Sequence, residues 1–141
     1  MKSFIINHIG NYDDFVLDTI ENHKEWYGKN DKVDLLRVHF YDLIDEDGEI
    51  LGFFGVSYWQ HVDFKECVIC YVFIKEEHRK NGLFKKIIKF VKDKNTEYEL
   101  IVIGATWVNK LANSIYSKHF KFYGKDYLQK GNWYCIKDRR K

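Results

Sequence analysis

The chain has 141 residues, 45% hydrophobic and 18% aromatic, which suits one domain (1–141) with a well-filled core and excludes a disordered chain. Its net charge of +2 hides an asymmetry: residues 1–66 carry 6 Lys/Arg against 14 Asp/Glu, and residues 67–141 carry 17 against 7. That division suits two ligands of opposite charge meeting at the seam, or two differently solvated faces. The basic half lacks the interleaved exposed aromatics and motifs of a nucleic-acid binder, and no apolar run approaches roughly 18 residues, so neither nucleic acid nor membrane is an expected partner.

In chain order, residues 3–9 have strand composition. Asn11 has the chemistry of an N-cap, with Asp13 and Asp14 favouring the first turn. Tyr12, Val16, Ile20, His23 and Tyr27 recur at three and four residues, predicting an amphipathic helix over about 11–27 in which His23 packs half-buried. A polar connector (28–32) leads to strands over 35–44 and 49–60, joined by Asp45-Glu46-Asp47-Gly48, whose Asp-Gly chemistry predicts a hairpin. Gly52 and Gly55 weaken the second strand or admit a close neighbour.

Residues 67–75 are dominated by β-branched and aromatic types and predict a buried central strand. Cys67 and Cys70 on it form a C-x-x-C, but positions i and i+3 of a strand face opposite ways, so the pair is expected to be structural, without a metal. With no disulfide framework and a start too short and polar for a signal peptide, a reducing, cytoplasmic location is expected. A basic, glycine-bearing loop follows. Leu83, Phe84, Ile87, Ile88 and Val91 then share one face of a helix over 83–94.

Strand, glycine loop and helix is an arrangement that aims backbone N–H groups at a phosphate. The next strand (99–106) is apolar on both faces and completes a βαβ unit, so it runs parallel to the central one. Asn109 caps a helix over 110–119, and strands over 120–128 and 132–138 finish the chain, with Lys130-Gly131 in the turn.

The run from Val72 to Phe84 (VFIKEEHRKNGLF) resembles the acetyl-CoA-binding signature of the Gcn5-related N-acetyltransferase (GNAT) superfamily, with Arg79 and Gly82 at its R/Q-x-x-G positions. Asn109-Lys-Leu-Ala112-Asn-Ser-Ile-Tyr116 is similar to the family's later block N-x-x-A-x-x-x-Y. There are three departures: Phe84 stands where a small residue closes the signature, Glu76 where Pro is common, and His119-Phe120-Lys121-Phe122 where Gly-Phe follows the tyrosine. The resemblance implies an α/β GNAT acyl-CoA N-acyltransferase fold: a mixed, mostly antiparallel sheet of six to seven strands flanked by helices on both faces.

It also implies an acetyl-CoA-dependent N-acetyltransferase that transfers directly to a primary amine in a ternary complex. In that reading Arg79, Lys80, Asn81, Gly82, Leu83 and Phe84 cradle the CoA pyrophosphate. Val72, Phe73 and Ile74 pair with the pantetheine arm and polarise the thioester carbonyl, and Asn109 belongs to the cofactor site. Tyr116 is the general acid, or else a core tyrosine. Glu66 is taken as the general base, with His39, His61 and Asp63 as alternatives among which the sequence does not choose. Lys85, Lys86, Lys89, Lys92 and Lys94 reach CoA phosphates or form a solvated face. The alternative function is a non-catalytic GNAT-fold module that binds acyl-CoA or a protein. The aromatic C-terminal end (Phe120, Phe122, Tyr123, Tyr127, Trp133, Tyr134) supplies either a homodimer surface or core.

Overall fold

The computed structural model describes residues 4–23, 27, 35–127 and 130–140. Within them run β1 (Phe4–Gly10), α1 (Asp14–Asn22), β2 (His39–Asp45), β3 (Ile50–Gln60), β4 (Lys65–Ile74), α2 (Leu83–Lys94), β5 (Leu100–Thr106), α3 (Lys110–His119), β6 (Lys121–Asp126) and β7 (Gly131–Asp138). A short 3-10 turn at Glu76–His78 joins β4 to α2. Ser3, residues 24–26 of the expected first helix, the 28–32 connector and Leu128 lie outside the described residues.

The strands form one sheet in the order β1-β2-β3-β4-β5-β7-β6. Every pairing is antiparallel except β4 with β5, which are parallel as a βαβ unit requires. The final hairpin inserts with its second strand inward, so β7 lies against β5 and β6 forms the edge. This divides the aromatic C-terminal end: Tyr134 is buried, while Phe122, Tyr123 and Tyr127 are exposed.

Helices α2 and α3 cover one face of the sheet, where Leu83, Ile87, Val91 and Tyr116 meet Leu43, Phe54, Ile69, Ile101 and Ile103. Helix α1 covers the other face, seating Val16 and Ile20 on Phe40, Phe53 and Tyr71. A nine-residue helix containing Val, Thr and Ile is marginal alone. Burying Val16 and Ile20 contributes about 1.5–3 kcal/mol each, against about 1 kcal/mol for the cap, so packing holds α1 in place. That cap is Asp13, not Asn11: Asp13 Oδ1 accepts from Val16 N at 2.9 Å. β1 runs on through Gly10, which leaves Asn11 in the connection.

The second strand starts at His39 rather than residue 35. Leu35 and Val38 are buried, but as ends of a turn in which Val38 N donates to Leu35 O at 3.1 Å; their apolar character serves the core, not the ladder. The β2–β3 hairpin forms as its sequence predicts, with Asp45 Oδ1 accepting from Asp47 N and Glu49 N at 2.9 Å each. Gly52 is needed for close approach, since a Cβ there would lie 2.1 Å from Phe73 O on β4.

One polar group is buried at a cost. Asp42, only 4% exposed on β2, leaves Oδ1 without a hydrogen-bond partner among the described residues. It meets the carboxyl of Asp13, and burial first, then that neighbouring charge and hydrogen bond, raise its pKa to about 7. No helix among the described residues is long and apolar enough to cross a membrane.

Candidate active site

β4 and β5 pair only from Glu66–Leu100 to Ile69–Ile103. Immediately beyond, β4 carries a bulge: Gly55 of β3 faces Tyr71 and Val56 faces Ile69, so Cys70 has no opposite number. Residues 67 and 69 therefore point into the α2–α3 core, while Cys70 and Tyr71 both point toward the α1 face. β5 follows β7 instead, pairing Gly104 with Trp133 and Thr106 with Gly131. The two strands part, and a cleft of about 850 Å³ opens between them.

The parted end of β4 offers backbone to that cleft. Lys75 N donates to Leu51 O on β3 at 2.9 Å, and strand alternation then turns the amides and carbonyls of Val72 and Ile74 the other way. Two side chains confirm the direction. Tyr27 Oη donates to Val72 O at 2.8 Å, and Arg79 Nε donates to Ile74 O at 2.8 Å. Arg79, expected to meet CoA phosphates, thus ties the loop back to β4. Burial holds the Tyr27 phenol above its ordinary range, despite the opposing charge of Arg79, so it remains a donor.

The loop ends in Gly82, the N-cap of α2, at φ 78°, in the left-handed region that favours glycine. No side chain caps α2 and no acidic residue occupies its first turn. The helix begins with Lys86 N donating to Gly82 O, so the amides of Leu83, Phe84 and Lys85 have no intrahelical partner. Bare amides at a helix N-terminus can receive an anion. The lysine face is partly spoken for: Lys89 pairs with Asp93, Lys86 lies over the Phe4 ring and Lys94 over Tyr41 and Phe90.

Across the cleft, Asn109 caps α3 through Oδ1, which accepts from Ala112 N at 3.1 Å. Asn113, which sequence reasoning passed over, makes four bonds. Its Nδ2 donates to Thr106 O (2.8 Å) and Asn109 O (2.9 Å), and its Oδ1 accepts from Tyr134 Oη (2.7 Å) and Asn132 Nδ2 (3.0 Å). It locks the start of α3 to β5 and β7. Tyr116, 5% exposed, lines the cleft with its ring stacked on Phe84 at 5.4 Å and 17°. Burial first, then the neighbouring Tyr27 and Tyr134, hold its phenol far above the ordinary range, in the protonated, donating form.

Glu66 also lines the cleft, at its far end on the α1 face, with Oε1 2.8 Å from His61 Nε2. It stands six residues before Val72, roughly 17 Å along a bulged strand. From that place a proton would reach it from an amine beside Val72 through a chain of water. His39 and Asp63 are not among the residues lining the cleft. Cys70 lines it, but burial pushes its thiol up to about 11 against the lowering hydrogen bonds of Ser57, which suits a structural thiol. All three cysteines are free.

The sequence matches the model of the Acetyltransferase (GNAT) family over residues 10–122. The chain belongs to that family. Its fold agrees with solved GNAT structures at low identity. An acetyltransferase of Bacillus subtilis in complex with CoA is 18% identical, with a TM-score of 0.70 over 96% of this chain and 99% of that one. A GNAT acetyltransferase of Elizabethkingia anophelis with acetyl-CoA bound is 16% identical, with a TM-score of 0.68 over 95% and 97%. A variant of the spermidine N-acetyltransferase of Vibrio cholerae is 12% identical, with a TM-score of 0.66 over 94% and 92%. No curated protein sequence matches significantly. Against the GNAT signature, Phe84 is the departure with a visible role: its ring fills the space between α2 and α3 and buttresses Tyr116 and Phe120.

Proposed function

We propose that this GNAT acetyltransferase transfers an acetyl group from acetyl-CoA to a primary amine by direct attack within a ternary complex. The observation that carries the reading is the parting of β4 from β5 after Ile69 and Ile103, with the uncapped N-terminus of α2 beyond one side and Tyr116 on the other. These residues fit the cofactor. The bare amides at Leu83–Lys85 suit a pyrophosphate, and the cleft-facing backbone of Val72 and Ile74 suits an amide-bearing arm lying alongside as an added strand.

Acetyl-CoA would supply an acetyl thioester whose sulfur departs as a thiolate. The chain's own residues do the rest. A backbone N–H of Val72 or Ile74 would donate to the carbonyl oxygen as it gains charge, an oxyanion-hole role. Phe84 and the Asn113 clamp hold Tyr116 in the cleft, where its phenol donates toward the departing sulfur. Because burial raises the phenol, complete proton transfer to the departing thiolate, whose thiol titrates near 8.5, runs uphill at about 1.4 kcal/mol per pKa unit, so donation of a hydrogen bond is the main contribution. The new C–N bond forms as the C–S bond breaks, and the ammonium proton leaves through solvent. The raised Cys70 thiol argues against an acyl-enzyme intermediate.

Thermal unfolding with and without acetyl-CoA, on wild type and on Gly82→Asp, tests the cofactor site. Ligand at 100 times its dissociation constant stabilises by about 2.7 kcal/mol, and a carboxylate placed among the α2 amides should remove that shift. Free-thiol release with an amine present then separates transfer from binding alone. Binding without release would return the protein to a non-catalytic acyl-CoA module.

A further inference from the structure

The cleft does not end where the strands part. It continues over the α1 face, across Val68 and Val102, and finishes at Trp59 and Glu66. Trp59 and Glu66 are direct cross-strand partners on β3 and β4. They share that face, because their neighbours Tyr58 and Cys67 both point into the opposite core. Partners of this kind hold Cβ atoms about 4.5–5.5 Å apart, so an indole and a carboxylate stand side by side.

Both side chains are held from behind. His61 Nε2 lies 2.8 Å from Glu66 Oε1, and its ring stacks on Phe64 at 4.4 Å. Trp59 Nε1 donates to Ser57 Oγ at 3.2 Å. Yet both remain open enough to be reached, with Trp59 50% exposed and the Glu66 side chain 17%. A carboxylate beside an aromatic face selects an ammonium, by a charge-assisted hydrogen bond and a cation–π contact together.

Distance decides what kind of ammonium. Glu66 and Val72 are roughly 17 Å apart along β4. The glutamate side chain and the acyl group each take up part of that span, leaving about 10–13 Å between a nitrogen attacking at Val72 and one held at Glu66. An extended chain advances about 1.2 Å per bond, so the two nitrogens are separated by roughly eight to eleven bonds. Between them the lining is mixed, with Ser57 and Cys70 beside the valines and Arg37, Lys130 and Asn132 elsewhere around the cleft. Val68 and Val102 make its floor, and the Trp133 indole lies so close on Gly104 that an added Cβ would sit 2.5 Å from it.

We propose that the acceptor is an extended amine carrying a second cationic nitrogen, an α,ω-diamine or polyamine, whose distal ammonium is bound by Glu66 and Trp59. The proposal rests on the acetyl-transfer reading above and makes Glu66 an anchor of the acceptor instead of the base.

The test is thiol release from acetyl-CoA with diaminobutane, diaminohexane, diaminooctane and diaminodecane, set against octylamine, on wild type, Glu66→Gln and Trp59→Leu. The expected result is a preference of at least tenfold in kcat/KM for diaminooctane over octylamine, falling away for diaminobutane. Glu66→Gln should raise KM for diaminooctane at least tenfold with kcat within about twofold, and Trp59→Leu should weaken the same preference. Equal use of octylamine and diaminooctane by wild type overturns the proposal. So does a Glu66→Gln variant whose kcat falls for both amines alike, the mark of a base. An acetyl-CoA thermal shift with no turnover of any of these amines overturns it while leaving the cofactor site standing. Absence of that shift removes the underlying reading and the proposal together.

Discussion

Tyr27→Phe tests whether the parted edge of β4 is the cofactor's docking strand. In the free protein the Tyr27 hydroxyl occupies Val72 O at 2.8 Å, one of the two cleft-facing carbonyls that an incoming amide would use. A neutral hydrogen bond contributes about 0.5–1.5 kcal/mol net, so the variant should be less stable by that amount. The ring itself stays, packed against Tyr71 at 5.7 Å, so no cavity term is added. Binding in wild type must first displace the hydroxyl; in the variant the carbonyl is already bare. Affinity for acetyl-CoA should therefore rise by the same free energy, about 2- to 13-fold. Calorimetric titration gives the dissociation constant and thermal unfolding gives the stability, and the two should move in opposite senses. A variant that binds acetyl-CoA more weakly would show that the hydroxyl supports the ligand, and the competition argument would be wrong. Unchanged stability and affinity would mean that Val72 is not the docking position.

Tyr116→Phe removes the donor and keeps the stacking on Phe84, so kcat should fall about 10²-fold or more while the acetyl-CoA thermal shift is retained; a variant with full kcat would return Tyr116 to the core. Asn113→Ala leaves the Tyr134 hydroxyl and the Thr106 carbonyl without their partner and should cost roughly 2–3 kcal/mol in urea unfolding, a loss that a surface asparagine would not show. Asp42 carries a pH signature. Its pKa lies near 7 in the folded chain against 3.8 otherwise, so the native state binds a proton that the unfolded state lacks between those values. The stabilisation is full below about pH 4 and is lost as pH rises through about 7, and Asp42→Asn should flatten that slope in urea midpoints measured from pH 4 to 8.

Much of this arrangement was legible because it is written locally. The helices over 83–94 and 110–119, the central strand and the Asp45–Gly48 hairpin each follow from spacing or turn chemistry within a dozen residues. The two spaced motifs then carried the family. What escaped depends on partners distant in sequence. The Cys70 bulge exists only against β3, the reach of Tyr27 to Val72 spans 45 positions, and the four bonds of Asn113 draw on β5, α3 and β7 at once. The inward place of β7 has no local signal, since either strand of a hairpin can pair with β5. Asn11 and Asp13 have equal capping chemistry, and only the length of β1 chooses between them. Glu66 was one candidate base beside His39, His61 and Asp63, among which the sequence does not choose; its distance from Val72 appears only once the direction of the cleft is known.

The brief contact between β4 and β5 has a thermodynamic consequence. Four residue pairs, Glu66–Leu100 to Ile69–Ile103, make up the ladder that joins the first four strands to the last three. A sheet stitched so narrowly at its middle is a natural boundary between two cooperative units, each able to open without the other. Amide hydrogen exchange should therefore show two stability levels in the free protein, divided between Ile74 at the end of β4 and Leu100 at the start of β5. A ligand lying along both parted edges would lengthen the seam, and with it bound the two levels should merge into one.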